Sequence, residues 1–493
     1  MLVVVLAITT ILSLGCPPTP VTPPPFTQFP GVKVVDMIPA ALSGETNQDS
    51  EPFLAIHPTN PLAMAASAFT LNPGGPSSTT APIFISQDGG QTWTLNNIVP
   101  SPVQTIDITH AFDAGAGNLF GGILRSTDGN LLELITTTFS APTVMTTQAS
   151  RPDDDQPFVR ATTVGPNNRI YIGSNDFSQF ATTGHTATVD VSGNNGVSYS
   201  QVRVESRNSA NMTACGNPGS QDGPSIRPSI AKDNTIYAAF FGWRAFDCNT
   251  GMVNSDVVVV RDDSGGVGAS PFTDLKDPND TKVGVRAVPG VTIPWSNAQT
   301  LAQERIGSTL SLAVDPNNSS TVYVAWADRV GNGDIYTIHV RRSTDRGVHW
   351  SSDLFTQKNA TNSALAVADN GTVGLLYQAH VGTGIAGTWE THLIQTKDAF
   401  TTKQDGVLAA TPSDQPPAQY LPYLGDYVGL MAVGSSEFRG VFSANNTPDN
   451  SHFPQGVTYQ RVADFNSHTL GDGQGGTVDV SIDVFYFSFP VLP

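Results

Sequence analysis

Charge is scarce in this sequence, and positive charge scarcest: 13% of the 493 residues are charged, with 24 lysines and arginines against 42 aspartates and glutamates. The formal net charge of -18 repels phosphate backbones and anionic lipid surfaces, which sets nucleic acid aside as a partner. Cysteine is nearly missing, at three residues, and the nine histidines never take an H-E-x-x-H spacing, so no zinc site is visible. No apolar run is long enough to span a bilayer. The one phosphate-loop lookalike, "GDGQGG" from Gly471, lacks the Lys-Ser/Thr ending and reads as a hairpin.

Turn-formers are plentiful. The chain has 46 glycines and 36 prolines beside 39% apolar residues, a mixture that favours strands joined by many turns and points to an all-β class. The amino terminus, "MLVVVLAITTILSLGC", has the length of a signal-peptide core, and "PPTPVTPPP" after it cannot join a packed sheet because proline removes backbone donors. We expect a signal peptide over 1–15, a proline-rich linker over 16–31 and a single folded unit over 32–493. Gly15-Cys16 resembles the cleavage and acylation site of bacterial lipoproteins, which implies a lipid on Cys16 and an exported chain held at the cell envelope. A secreted chain with a simple cleaved signal is the rival, since no basic residue precedes Lys33. Export leaves Cys215 and Cys248 as an even pair that an oxidising compartment would join.

Seven segments share one pattern, an apolar run, a turn of Pro, Asn, Asp or Gly, and a second apolar run. "FLAIHPTNPLAMAAS", "PSIAKDNTIYAAFFGW" and "LSLAVDPNNSSTVYVAW" are three of them; the first runs begin near residues 53, 108, 158, 228, 310, 364 and 428. Most are followed by two more strand-like runs. Four antiparallel strands repeated every 50–80 residues or so suggest a β-propeller of four-stranded blades, seven in number, or six if one repeat is an insertion.

Two further stretches match each other, "SQDGGQTW" (Ser86, Asp88, Gly90, Trp93) and "STDRGVHW" (Ser343, Asp345, Gly347, Trp350), with "SGNNGVSY" at 192–199 as an eroded third. Each lies between a third and a fourth strand. There Ser and Asp can accept bonds from turn amides, Gly takes a backbone angle other residues resist, and the aromatic ring packs inward. These stretches resemble the Asp-boxes, or BNR repeats, of the sialidase-like propellers. That resemblance implies the fold; it leaves activity open, because such boxes occur in glycosidases, sorting receptors and non-enzymatic propellers alike.

In an up-and-down blade the turns after strands one and three share one face, and the long polar connections after strand two gather on the other. Cys215 and Cys248 both fall on that long-loop face, where a bridge would clamp the loops. The starts of the innermost strands also lie there and line the axial mouth, with Asp49, Glu51, Asp107, Asp153 to Asp155, Arg227, Glu304, Arg305, Asp426 and Tyr427. The resemblance implies a glycosidase-like site assembled from Arg227, Arg305, Tyr427 and Asp155, with a tyrosine nucleophile and arginine forks on a substrate carboxylate. Against a sialidase, the first repeat reads "EPFLAIHP" and lacks the expected arginine. Asp154, Trp243, Arg244, Trp389 and Asp426 are candidate binding residues, the tryptophans by stacking on sugar rings, whereas Trp326 reads as a packing residue. Each rim carboxylate has a plain alternative role, capping a strand end or pairing with an arginine. The chemistry expected is recognition of an extracellular carbohydrate or glycoprotein by a monomer that touches the membrane only through an N-terminal lipid. Glycoside hydrolysis is the alternative, and an envelope scaffold the third reading. No cofactor is required, although "RPDDDQPF" and "KDPNDTK" offer hard oxygen ligands that calcium can use.

Overall fold

A computed structural model of the chain describes residues 26–69, 81–99, 105–113, 117–127, 129–179, 186–209, 223–294, 309–329, 336–383, 386–416 and 424–493. Cys16, Cys215, Glu304 and Arg305 lie outside them, as do large parts of the long connections assigned above to one face. Among the described residues the helices are two short 3-10 turns, Ala40–Leu42 and Phe177–Gln179, and no helix is long and apolar enough to cross a membrane.

All seven apolar runs become the first strand of a four-stranded antiparallel sheet. These strands are Ser50–Ile56, Thr105–Phe112, Asp154–Val164, Arg227–Ile230, Leu310–Asp315, Ala360–Val367 and Gly429–Val433. Six sheets take their four strands in chain order, as in Ser50–Ile56, Met64–Phe69, Ala81–Ser86 and Thr94–Val99. First strands touch their successors in sequence, and Gly429–Val433 touches Ser50–Ile56 again, which closes a ring. Each sheet is therefore covered on both faces, and a second strand can run apolar without a break; in Ile236–Asp247 the first eight residues are all buried.

The last sheet holds the ring shut. From the axis outward it runs Gly429–Val433, Glu437–Asn445, Ile482–Pro490 and then Lys33–Asp36 from the other end of the chain, in the register Lys33 to Ser488 through Asp36 to Phe485. A small three-stranded sheet (Ala463–Asp464, Thr469–Gly471, Thr477–Val478) fills the connection between its second and third strands.

The Asp-boxes fold as turn fasteners. Ser86 Oγ accepts from the Gly90 amide at 2.8 Å, Asp88 Oδ1 accepts from the Gln91 and Thr92 amides at 3.0 Å each, and Trp93 is buried. Ser343, Asp345 and Gly347 repeat this, and Trp350 Nε1 donates to the Gly347 carbonyl at 3.0 Å. In the eroded copy Asn194 Oδ1 takes the Asp role and accepts from the Ser198 amide at 3.1 Å. A fourth box was hidden in "TKDAFTT": Thr396 Oγ1 accepts from the Phe400 amide and Asp398 Oδ1 from the Thr402 amide, with Phe400 where glycine is expected, at φ 68°.

Gly90 shows why glycine recurs. Its φ is +85°, and a Cβ there would sit 2.2 Å from the Tyr486 ring across the ring closure. At Gly117, φ +72°, a Cβ would meet nothing within 4 Å. Gly117→Ala should therefore cost only the backbone strain, about 1 kcal/mol, while Gly90→Ala adds overpacking of a further 1–3 kcal/mol or so. Denaturant midpoints of the two variants check this; equal losses would contradict it.

Candidate functional site at the axial mouth

The innermost strands enter the ring through a shared irregularity. Pairing with the second strand slips between Ser50 and Phe53, Thr105 and Ile108, Asp155 and Phe158, and Thr361 and Ala364. Within these bulges Glu51 (φ 53°), Gln156 (φ 48°) and Asn362 (φ 56°) adopt left-handed backbone, uncommon for residues with side chains. A bulge breaks the two-residue alternation and re-aims the following side chains, here at the same level of several strands around one axis.

At that level the structure brings Asp107, Arg227 and Tyr427 together from three different sheets. The Tyr427 hydroxyl donates to Asp107 Oδ1 at 2.6 Å, and the Arg227 guanidinium carbon lies 6.0 Å from the Tyr427 ring centre. Burial, followed by the nearby charges of Asp107 and Glu51, holds the phenol well above its ordinary pKa, so it is a neutral donor to Asp107. Arg227 is itself buried; it donates from Nη1 to Ser225 Oγ at 2.7 Å, and desolvation lowers it to about 10 although Tyr427, Asp107 and Asp426 pull the other way. Asp426 thus belongs to the same electrostatic neighbourhood.

One member of the cluster escaped the sequence. Arg160, in the run "FVRATTV", was not singled out in the sequence, yet it lines the axial cavity and stacks on the Phe158 ring at 4.5 Å, as Arg227 does at 4.4 Å. Desolvation lowers it to about 10 too. A cavity of about 30 Å³, roughly one water's share, is lined by Phe53, Phe158, Arg160, Arg227, Ser363 and Tyr427. A second, of about 210 Å³, opens towards the short hairpins between Pro58, His110, Phe112, Thr163 and Met431, with Arg160 on the wall of both.

Other expected residues sit elsewhere. Trp243 packs in the core between two sheets and Trp389 packs against His380, and neither lines the axial cavity. Arg244 is spent on Glu205 (2.9 Å) and Asp256 (2.6 Å). Trp326 packs as expected, stacked on His339 at 4.9 Å. Asp154 points into its own sheet, accepting from Ser174 Oγ at 2.8 Å; burial, with Asp176 and Asp190 nearby, raises it to about 8. Asp155 stays half-buried at the bulge, accepting from the Gln156 amide at 2.7 Å. In "KDPNDTK" two guanidiniums occupy the place imagined for calcium: Arg286 bonds Asp277 at 2.9 Å and Arg207 bonds Asp280 at 2.9 Å; against burial, the bonds from Arg286 and the Asn279 amide hold Asp277 down at about 2. Cys248 is disulfide-bonded.

No family model matches this chain, and no curated protein does. Among solved structures it is similar to an α-L-arabinofuranosidase from Fusarium graminearum (10% identity, 90% of this chain and 98% of that one, TM-score 0.41). It is also similar to an α-L-arabinanase from Penicillium chrysogenum (11%, 89% and 97%, 0.40) and to the phage phi92 endosialidase (10%, 94% and 69%, 0.44). At this level of likeness, what the site does has to be argued from its own side chains.

Proposed function

We propose that the protein is an exported, seven-bladed, monomeric propeller that engages an extracellular glycan, free or carried on a glycoprotein, at its axial mouth. The observation that carries this reading is the 2.6 Å contact between Tyr427 and Asp107 beside Arg227, a convergence of polar groups from the second, fourth and seventh sheets at the point where the strand starts meet. Sites for small polar ligands combine a concave apolar wall with a few fixed polar groups. Here Phe53 and Phe158 supply the wall, and Asp107, Asp426 and Glu51, each under a tenth exposed, are the acceptors that a sugar hydroxyl entering the opening would meet. The excess of carboxylates suits a neutral sugar better than an anionic one. Export is supported by the disulfide at Cys248, because such bonds persist in oxidising compartments. A bridge to Cys215 and a lipid on Cys16 complete the proposal, the latter anchoring the chain to the envelope.

Glycoside hydrolysis is the second reading, favoured by the pairing of a phenol with a carboxylate. For Tyr427 to act as nucleophile, Asp107 would take its proton as the phenolic oxygen bonds the anomeric carbon, and a protonated carboxyl would hand a proton to the leaving oxygen. A glycan array beside a panel of chromogenic glycosides, sialosides included, tests both readings. Binding without turnover supports the first. Turnover that falls by about 100-fold or more in Tyr427→Phe supports the second. Silence in both assays removes carbohydrate and leaves a scaffold for other envelope proteins.

A further inference from the structure

The closing sheet carries a buried acidic cluster away from the axial Tyr427 site. Asp36 ends the strand from the amino terminus, Asp483 lies at the start of Ile482–Pro490, and Glu45 and Asp49 come from the segment leading into Ser50–Ile56. Arg461, fully buried, donates to Asp36 Oδ2 at 3.1 Å and pairs with Asp483. Asp36 and Asp483 therefore share this one guanidinium. Carboxylates out of water are ordinarily paired or bound to metal.

One oxygen from each of Glu45, Asp49 and Asp483 lies within 4.8 Å of the others. Two ligands of one calcium ion can be no farther apart than twice the calcium–oxygen distance, about 5 Å, and every pair of these oxygens meets that limit. Clustering alone would not decide the matter. A second observation does: Glu45 Oε2 is shut off from solvent with no hydrogen-bond partner, while Oε1 is taken by the Asn47 amide. Arg461 does not serve that oxygen, because its contact with Glu45 is to the backbone carbonyl, at 3.5 Å.

We propose that Glu45, Asp49 and Asp483 bind a hard divalent cation of the calcium type, which ties the segment before the first inner strand to the carboxy-terminal strand that closes the ring. The ligand set is all oxygen and carries three charges, the chemistry calcium prefers. Asp483 is held in place on both oxygens, Oδ1 accepting from Ser481 Oγ at 2.8 Å and from Asn446 Nδ2 at 3.3 Å while Oδ2 pairs with Arg461, whose charge a bound ion would share. Because Asp49 lies two residues before Glu51, the ion would also brace one side of the axial mouth.

Calcium chloride titrated into the chelator-treated, full-length protein, read by calorimetry and by thermal midpoint, tests this. One ion should bind per chain with a Kd of about 10⁻³ M or tighter, and saturating calcium should raise the midpoint by several degrees, about 3 °C or more. Glu45→Gln and Asp49→Asn should each weaken calcium binding by at least about tenfold and abolish the thermal shift. No heat and no shift in the wild-type protein would overturn the proposal whether or not the variants fold. Undiminished binding by both variants would overturn it as well. A more stable Glu45→Gln protein together with a calcium-silent wild type would mean that a proton, not a metal, neutralises the cluster.

Discussion

Arg461→Ala should destabilise the protein by about 3–5 kcal/mol, the loss expected when one partner of a buried ion network is removed. The side chain and both of its carboxylate partners, Asp36 and Asp483, have no solvent exposure. Removing the guanidinium leaves those charges facing each other across the two outer strands that join the ends of the chain. Asp36 already titrates above the ordinary carboxylate range, because burial outweighs the pull of Arg461. Asp36→Asn added to Arg461→Ala should recover part of the loss, since it takes one stranded charge away. Denaturant unfolding of the wild type, the single variant and the double variant measures this. A loss below about 1 kcal/mol would show that the ring is not closed through these residues.

Acid should unfold the protein through His110 as well as through its carboxylates. The imidazole lines the lower axial cavity beside Phe53, ring centres 6.0 Å apart, and neither ring nitrogen has a hydrogen-bond partner. Burial pushes its pKa down to about 3. The sign follows from proton counts. In the unfolded chain this histidine takes up a proton below about pH 6.5 while the native one stays neutral, so stability falls as the pH drops from about 6.5 towards 3, at up to about 1.4 kcal/mol per pH unit. His110→Leu removes that proton without charging the cavity. Its unfolding free energy should change by about 3 kcal/mol less than the wild type's between pH 6.5 and pH 4. Parallel pH profiles for the two proteins would contradict the assignment.

Much of the architecture was legible in sequence because a sheet covered on both faces demands unbroken apolar strands. "FLAIHP", "LSLAVDP" and "ALAVADN" mark their first strands for that reason, and Ser86 to Trp93 marks a turn because its side chains bond its own amides. The site was only partly legible. Arg227, Tyr427 and Asp107 were on the expected rim, since strand starts must face one end of the ring. Asp154 failed because the slip between Asp155 and Phe158 reverses which side chains face the axis, and a bulge leaves no mark in composition. The same slip hid Arg160. Trp243 and Trp389 were candidates for stacking on sugar rings, but they lie within Ile236–Asp247 and Thr388–Thr396, long strands whose tryptophans pack between sheets. Asp36, Glu45, Arg461 and Asp483 meet only because the two ends of the chain share a sheet, a long-range pairing that no local pattern encodes.

The position of a bound sugar is the most direct test of a working axial mouth. A glycan selected on the array should be soaked into crystals of the protein and located. It should lie over the ring opening, with a hydroxyl within hydrogen-bonding distance of Asp107, Glu51 or Tyr427. A sugar seated on the outer strands, or on the face that carries the Asp-box turns, would contradict the account.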